Sequence, residues 1–145
     1  MKVSDILATK GRKVVSIETA NTLKEAMDSI VTNKIGALLV LKEKELVGII
    51  SERDLIRELH KTGEGALGKK VGEVMTTNIV VGLPDDDIEE VEALMTKNRF
   101  RHLPIFDKGK VAGIVSIGDI VKLLAADRKT ENRYLKDYIT GKYPG

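Results

Sequence analysis

The chain carries one message twice, and that limits its architecture more than any other feature. Val47-Gly48-Ile49-Ile50-Ser51-Glu52-Arg53-Asp54 returns 65 positions later as Ala112-Gly113-Ile114-Val115-Ser116-Ile117-Gly118-Asp119. The same offset aligns Leu23 with Ile88, Glu25 with Glu90, Ile30 with Met95 and Asn33 with Asn98. Each copy is marginal alone, so the two are expected to share a core, related by a pseudo-two-fold axis with equivalent clefts at their junction. Functional residues are therefore sought at matching positions in both copies.

Composition narrows the function. Twenty-four Lys and Arg against 22 Asp and Glu leave a net charge of +2, too balanced to point to nucleic acid or a membrane surface. Two Phe, three Tyr and no Trp provide no stacking platform for single strands. The absence of cysteine removes disulfides and thiolate metal sites and suits a cytoplasmic location. The apolar runs are strand-sized, so no membrane span is expected, and Met1-Lys2-Val3-Ser4-Asp5 does not open a signal peptide.

Periodicity yields the same element order in each copy. Val14 to Ile17 reads as a strand, and Thr22-Leu23-Lys24-Glu25 as a capping box. Leu23, Ala26, Met27, Ile30 and Val31 trace an amphipathic helix that Gly36 breaks. Ala37 to Leu41 and Leu46 to Ile50 form a hairpin around a polar turn, and Ser51 opens a second helix carrying Leu55, Ile56 and Leu59. The second copy predicts a strand over Ile79 to Val81 and a helix capped by Asp87. A hairpin of Leu103 to Phe106 with Val111 to Val115 follows, then a closing helix with Ile120, Val121 and Leu124. The fold class is α/β (α+β), two β-α-β-β-α repeats. A related lead-in, Val3-Ser4-Asp5-Ile6-Leu7 or Val71-Gly72-Glu73-Val74-Met75, precedes each and reads as a helical turn tying one unit to the other. The boundaries are 1–61 and 71–126 for the repeats with their lead-ins, 62–70 for a Gly-rich linker and 127–145 for a polar tail. Within that tail Tyr134, Leu135, Tyr138 and Ile139 make a narrow apolar stripe.

The closing motif, Gly-h-h-Ser-x-x-Asp with h apolar, has two readings. A serine N-cap with aspartate three residues on satisfies orphan N–H groups and favours the positive end of the helix dipole. The same carboxylate, at an exposed helix N-terminus, can also accept from the vicinal hydroxyls of a ribose while nearby donors receive phosphate. A single copy is explained by capping; its recurrence in both copies favours the second reading.

The paired β-α-β-β-α units, this motif, the Arg101-His102-Leu103-Pro104-Ile105 strand and the lead-ins resemble a tandem pair of CBS domains, a Bateman module, over residues 1 to 126. The tail is similar to that of small stand-alone CBS-pair proteins. The resemblance implies a non-catalytic sensor of AMP, ADP, ATP, NAD(H) or S-adenosylmethionine that requires no cofactor, with two clefts per chain and a disc-like homodimer. An effector protein, which the sequence does not identify, would read the ligand state. Carried onto this chain, Ser51 and Asp54 would face Ile79, Val80, Arg101 and His102, with Pro104 in the same strand. Ser116 and Asp119 would face Val14, Val15, Gly36 and Ala37. Arg101 and His102 give the first set the anionic part of a ligand; Arg53 reaches a phosphate or lies in solvent.

Other features weigh less. Gly63-Glu64-Gly65-Ala66-Leu67-Gly68 spells a dinucleotide fingerprint but follows a helix rather than a strand, so it reads as linker. His60 and His102 are the only histidines, which disfavours a metal site. Lys97, Arg99, Arg101 and His102 form a basic cluster too small to make nucleic-acid binding the first choice. No nucleophile–base pair or paired catalytic carboxylates can be assembled for an enzyme. The alternative to a sensor is a structural dimerisation module with empty clefts.

Overall fold

A computed structural model describes residues 1–126; the tail and its apolar stripe lie outside them. The chain divides into two compact units, one of Lys13–Val80 and the other of Met1–Arg12 with the chain from Val81 onward. Each is a small mixed sheet or hairpin covered by helices.

In the first-repeat unit, β1 (Ser16–Glu18) runs parallel to β2 (Ala37–Lys42), which pairs antiparallel with β3 (Glu45–Ser51). The two-residue loop Glu43-Lys44 has both φ angles positive, 52° and 70°, the backbone that matches hairpin twist. Helix α2 (Leu23–Asn33) starts at Thr22, whose hydroxyl accepts from the Glu25 N–H while Glu25 reaches back to the Thr22 N–H. It ends at Lys34 in the left-handed conformation, two residues before the expected breaker Gly36. Helix α3 (Glu52–Thr62) follows Ser51. The core gathers Leu23, Ala26 and Ile30 of α2, Leu38, Val40 and Ile50 of the sheet, and Leu55. The glycine-rich linker is a 3-10 turn, Gly63–Gly68, with Ala66 fully buried in that core. It leads to the four-residue α4 (Val71–Val74).

In the second-repeat unit, α5 (Ile88–Asn98) is capped by Asp87, and β4 (His102–Asp107) pairs with β5 (Lys110–Ser116) ahead of α6 (Ile117–Ala126). The strand expected over Ile79 to Val81 does not form; a single parallel bridge, Gly82 with Ile105, stands in its place. The reason is chemical. In the first repeat the Leu39 N–H donates to the Val15 carbonyl at 3.3 Å. The residue at Leu39's position in the second repeat is Pro104, which has no N–H to offer Val80. Pairing survives only further along, where Gly82 donates to the Pro104 carbonyl and accepts from Phe106, both at 2.9 Å.

The compact units and the sequence repeats have different boundaries. Helix α1 (Val3–Lys10), lead-in of the first repeat, buries Val3, Ile6 and Leu7 in the core with Ile88, Met95, Leu103 and Ile120. Conversely, Val71 of the second lead-in lies in the core of the first-repeat unit. Each lead-in seats a side chain on the glycine of the closing motif. A Cβ built on Gly113 would lie 2.7 Å from Leu7 Cδ2, and one on Gly48 would lie 2.5 Å from Met75 Sδ. The stripes are narrower than periodicity suggested: Val31 is 71% exposed, Ile56 66% and Val121 41%.

Candidate functional site

In both units the closing hairpin delivers Ser and Asp to the first turn of a helix. Ser51 is the N-cap of α3. Its N–H and hydroxyl donate to Asp54 Oδ2 at 2.9 and 3.1 Å, and the Asp54 N–H returns a bond to Ser51 Oγ at 3.3 Å. Asp54 is the buried charged residue of the described chain. Its Oδ1 meets two groups absent from the sequence-based set: the Thr76 hydroxyl at 3.4 Å and the exposed Arg57 guanidinium at 3.6 Å. Thr76 is held there by its lead-in, through two backbone bonds with Ile49 at 2.9 and 3.0 Å.

Asp119 repeats the cap with a different neighbour. The Ser116 N–H donates to Asp119 Oδ2 at 2.8 Å, and the Asp119 N–H to Ser116 Oγ at 3.1 Å. The Lys10 ammonium also donates to that Oδ2 at 2.7 Å and to the Ile114 carbonyl at 2.8 Å. Burial alone would raise the Asp119 pKa, but the bonds from Lys10 and Ser116 outweigh it and hold the carboxyl below its ordinary value. Lys10 stands at the end of α1, which is eight residues long; α4, its counterpart, has four and reaches no such position. No local sequence signal marks Lys10, because it and Asp119 are 109 residues apart.

The other expected residues fall as follows. Ala37 pairs with Ser51, the Gly36 carbonyl accepts from the Glu52 N–H at 3.0 Å, and Val15 joins β2 through Leu39; Val14 and Val15 lie just before β1. Ile79 and exposed Val80 end the same unit, and Arg53 is exposed on α3. In the other unit His102 pairs with Ser116, the Arg101 carbonyl accepts from the Ile117 N–H at 2.9 Å, and Pro104 is buried in β4. The set drawn around Ser51 and Asp54 is thus divided between the units, while Arg101 and His102 share a unit with Ser116 and Asp119. Among the described residues no three His, Asp or Glu side chains converge on a metal position, and no helix is long and apolar enough to cross a membrane.

Comparison with known proteins agrees with the duplicated pattern. The CBS-domain family profile matches residues 3–61 and again 71–126. The chain belongs to the CBS-domain family. A CBS pair of this kind is similar to the mitochondrial CBS domain-containing protein CBSX3 of Arabidopsis thaliana. The two are 35% identical, over 97% of this chain and 73% of the relative. Among solved structures it is similar to the CBS-domain protein ATU1752 of Agrobacterium tumefaciens, with TM-score 0.83 and 36% identity, covering 85% of this chain and 98% of that one. It is also similar to the CBS-domain pair of protein MJ0100, solved in complex with 5′-methylthioadenosine and S-adenosyl-L-methionine. That match has TM-score 0.78 and 26% identity, over 88% of this chain and 98% of the other.

Proposed function

We propose that this CBS pair is a non-catalytic regulatory module that binds adenosine-containing ligands, with the Ser51–Asp54 and Ser116–Asp119 pairs as the ribose-recognising groups. One observation carries the reading: the same carboxylate, on the same helix turn, recurs in both units. The two ligands named for the MJ0100 pair share adenosine, with its vicinal diol, and carry no phosphate. A carboxylate accepts two such hydroxyls in bidentate fashion. Arg101, His102 and Arg53 are the proposed contacts for phosphate where a ligand has one. AMP, ADP, ATP and NAD(H) extend the same class.

Ligand binding then shifts the population toward the arrangement that accommodates it, and a partner protein reads the change. A homodimer is part of the proposal. Ile56 and Val121 support it, because they are exposed apolar residues at equivalent positions of the two repeats.

A second reading also has an observation in its favour. Both aspartates already complete a helix cap, which suffices for a purely structural module. A thermal-shift panel separates the two. A ligand at 100 times its dissociation constant adds about 2.7 kcal/mol, which raises Tm by roughly 5–15 °C. The panel comprises adenosine, 5′-methylthioadenosine, S-adenosylmethionine, AMP, ADP, ATP, NAD and NADH. At least one should give such a shift, diminished by Asp54→Ala or Asp119→Ala. No shift with any of them, or shifts indifferent to both substitutions, would leave the structural reading in possession.

A further inference from the structure

Lys10 makes the two closing aspartates chemically different. Asp119 Oδ2 already receives the Lys10 ammonium at 2.7 Å, and the same ammonium holds the Ile114 carbonyl at 2.8 Å. This is a partly sheltered pair, its side chains 36% and 20% exposed. Asp54 has a looser cation on its other oxygen: the Arg57 guanidinium, 73% exposed, lies 3.6 Å from Oδ1, beside the Thr76 hydroxyl at 3.4 Å. His102 pairs with Ser116 in the β4–β5 register, and Arg101, the residue before it, belongs to the same unit as Asp119.

We propose that Lys10 is the specificity-determining residue of the Asp119 site, selecting ribonucleosides that bring a 5′-phosphate over neutral ones. This rests on the ribose role given to Asp119 above and deepens it. It moves the anionic preference, expected from sequence at Ser51 and Asp54, to the other aspartate. A neutral nucleoside that takes both carboxylate oxygens must displace an ammonium from its ion pair and offers nothing in return. A nucleoside 5′-phosphate carries its anion one sugar ring away from the diol, within the swing of a four-methylene stem. The displaced ammonium then exchanges one charge-assisted bond for another.

The test is calorimetric titration of the full chain with adenosine and with adenosine 5′-monophosphate. It is done in the wild type and in an Asp54→Ala background that leaves Asp119 as the closing carboxylate. Adding Lys10→Met, which retains the apolar stem, should lower the preference for the monophosphate over adenosine by about ten-fold or more. Lys10→Arg should retain most of it. In the wild-type chain the Lys10 ammonium nitrogen resonance, assigned by its loss in Lys10→Arg, should move with the monophosphate. The shift itself is read on the wild type, and its assignment needs only the conservative Lys10→Arg variant to fold. A preference that changes less than two-fold in Lys10→Met, equal losses for both ligands, or an unmoved Lys10 resonance at saturation overturns the role of Lys10. Binding to the wild type that disappears in Asp54→Ala overturns it too, yet leaves the proposed function standing. A wild type that binds neither ligand nor any other adenosine compound overturns both.

Discussion

Gly48→Ala tests whether the closing motif's glycine exists to receive the neighbouring lead-in. The added Cβ would lie 2.5 Å from Met75 Sδ, 3.0 Å from Met75 Cγ and 3.0 Å from the Thr76 carbonyl oxygen. The methionine end can yield, but the carbonyl is backbone. It is tied to the Ile49 N–H at 3.0 Å, with a return bond at 2.9 Å. Overpacking of this kind costs about 1–3 kcal/mol, and the strain on those two backbone bonds puts this site near the top of that range. Alanine recovers about 0.5–1 kcal/mol through its smaller loss of backbone entropy. The net destabilisation is about 2 kcal/mol. With a urea slope of about 2 kcal/mol/M, the midpoint should fall by about 1 M. Met75→Ala removes the sulfur and Cγ but leaves the carbonyl, so in that background the cost of Gly48→Ala should drop to about half, roughly 1 kcal/mol. Urea unfolding of the four proteins, followed by circular dichroism, completes the cycle. A Gly48→Ala penalty below about 0.5 kcal/mol, or the same penalty with and without Met75, would refute the argument from close approach.

Acid unfolding reports on Lys10. Because the folded Asp119 pKa is lowered, its contribution is present above the unfolded carboxyl value, about 3.9, and is lost as pH falls through the folded one. In Lys10→Met burial acts with less opposition, so the acid midpoint should move to higher pH; an unchanged midpoint in a pH titration of ellipticity counts against the pair. Thr22→Ala, which removes the hydroxyl that accepts from Glu25 N–H, should cost about 1 kcal/mol in the same urea assay. Leu38→Ala, at a fully buried position, should cost about 2–5 kcal/mol, and a loss below 1 kcal/mol would show that the core had collapsed around it.

Much of the fold is readable from local pattern because its determinants are local. The Thr22 and Ser51 capping boxes, the Asp87 cap and the two hairpins depend on residues within a few positions of one another, and all form where the spacing puts them. Where local pattern fails, a distant partner decides. Val80 has strand-forming chemistry but forms no strand, because Pro104, without an N–H, stands where the first repeat has the donor Leu39. Val31, Ile56 and Val121 obey helical periodicity yet remain exposed, because periodicity selects a stripe without saying how much of it the core covers.

The candidate site divides in the same way. Ser51, Asp54, Ser116 and Asp119 announce themselves, since duplication marks them and three-residue spacing is enough to build each cap. Thr76 and Lys10 do not, because one reaches its aspartate from just beyond a lead-in helix and the other from the end of one, across 22 and 109 residues of chain. Sequence alone therefore determined the repeat, the caps and the two carboxylates, all products of short-range backbone chemistry. Only the tertiary structure decided which lead-in packs in which unit, and so which aspartate carries a lysine, because side chains far apart in sequence meet only once hydrophobic burial has chosen their neighbours.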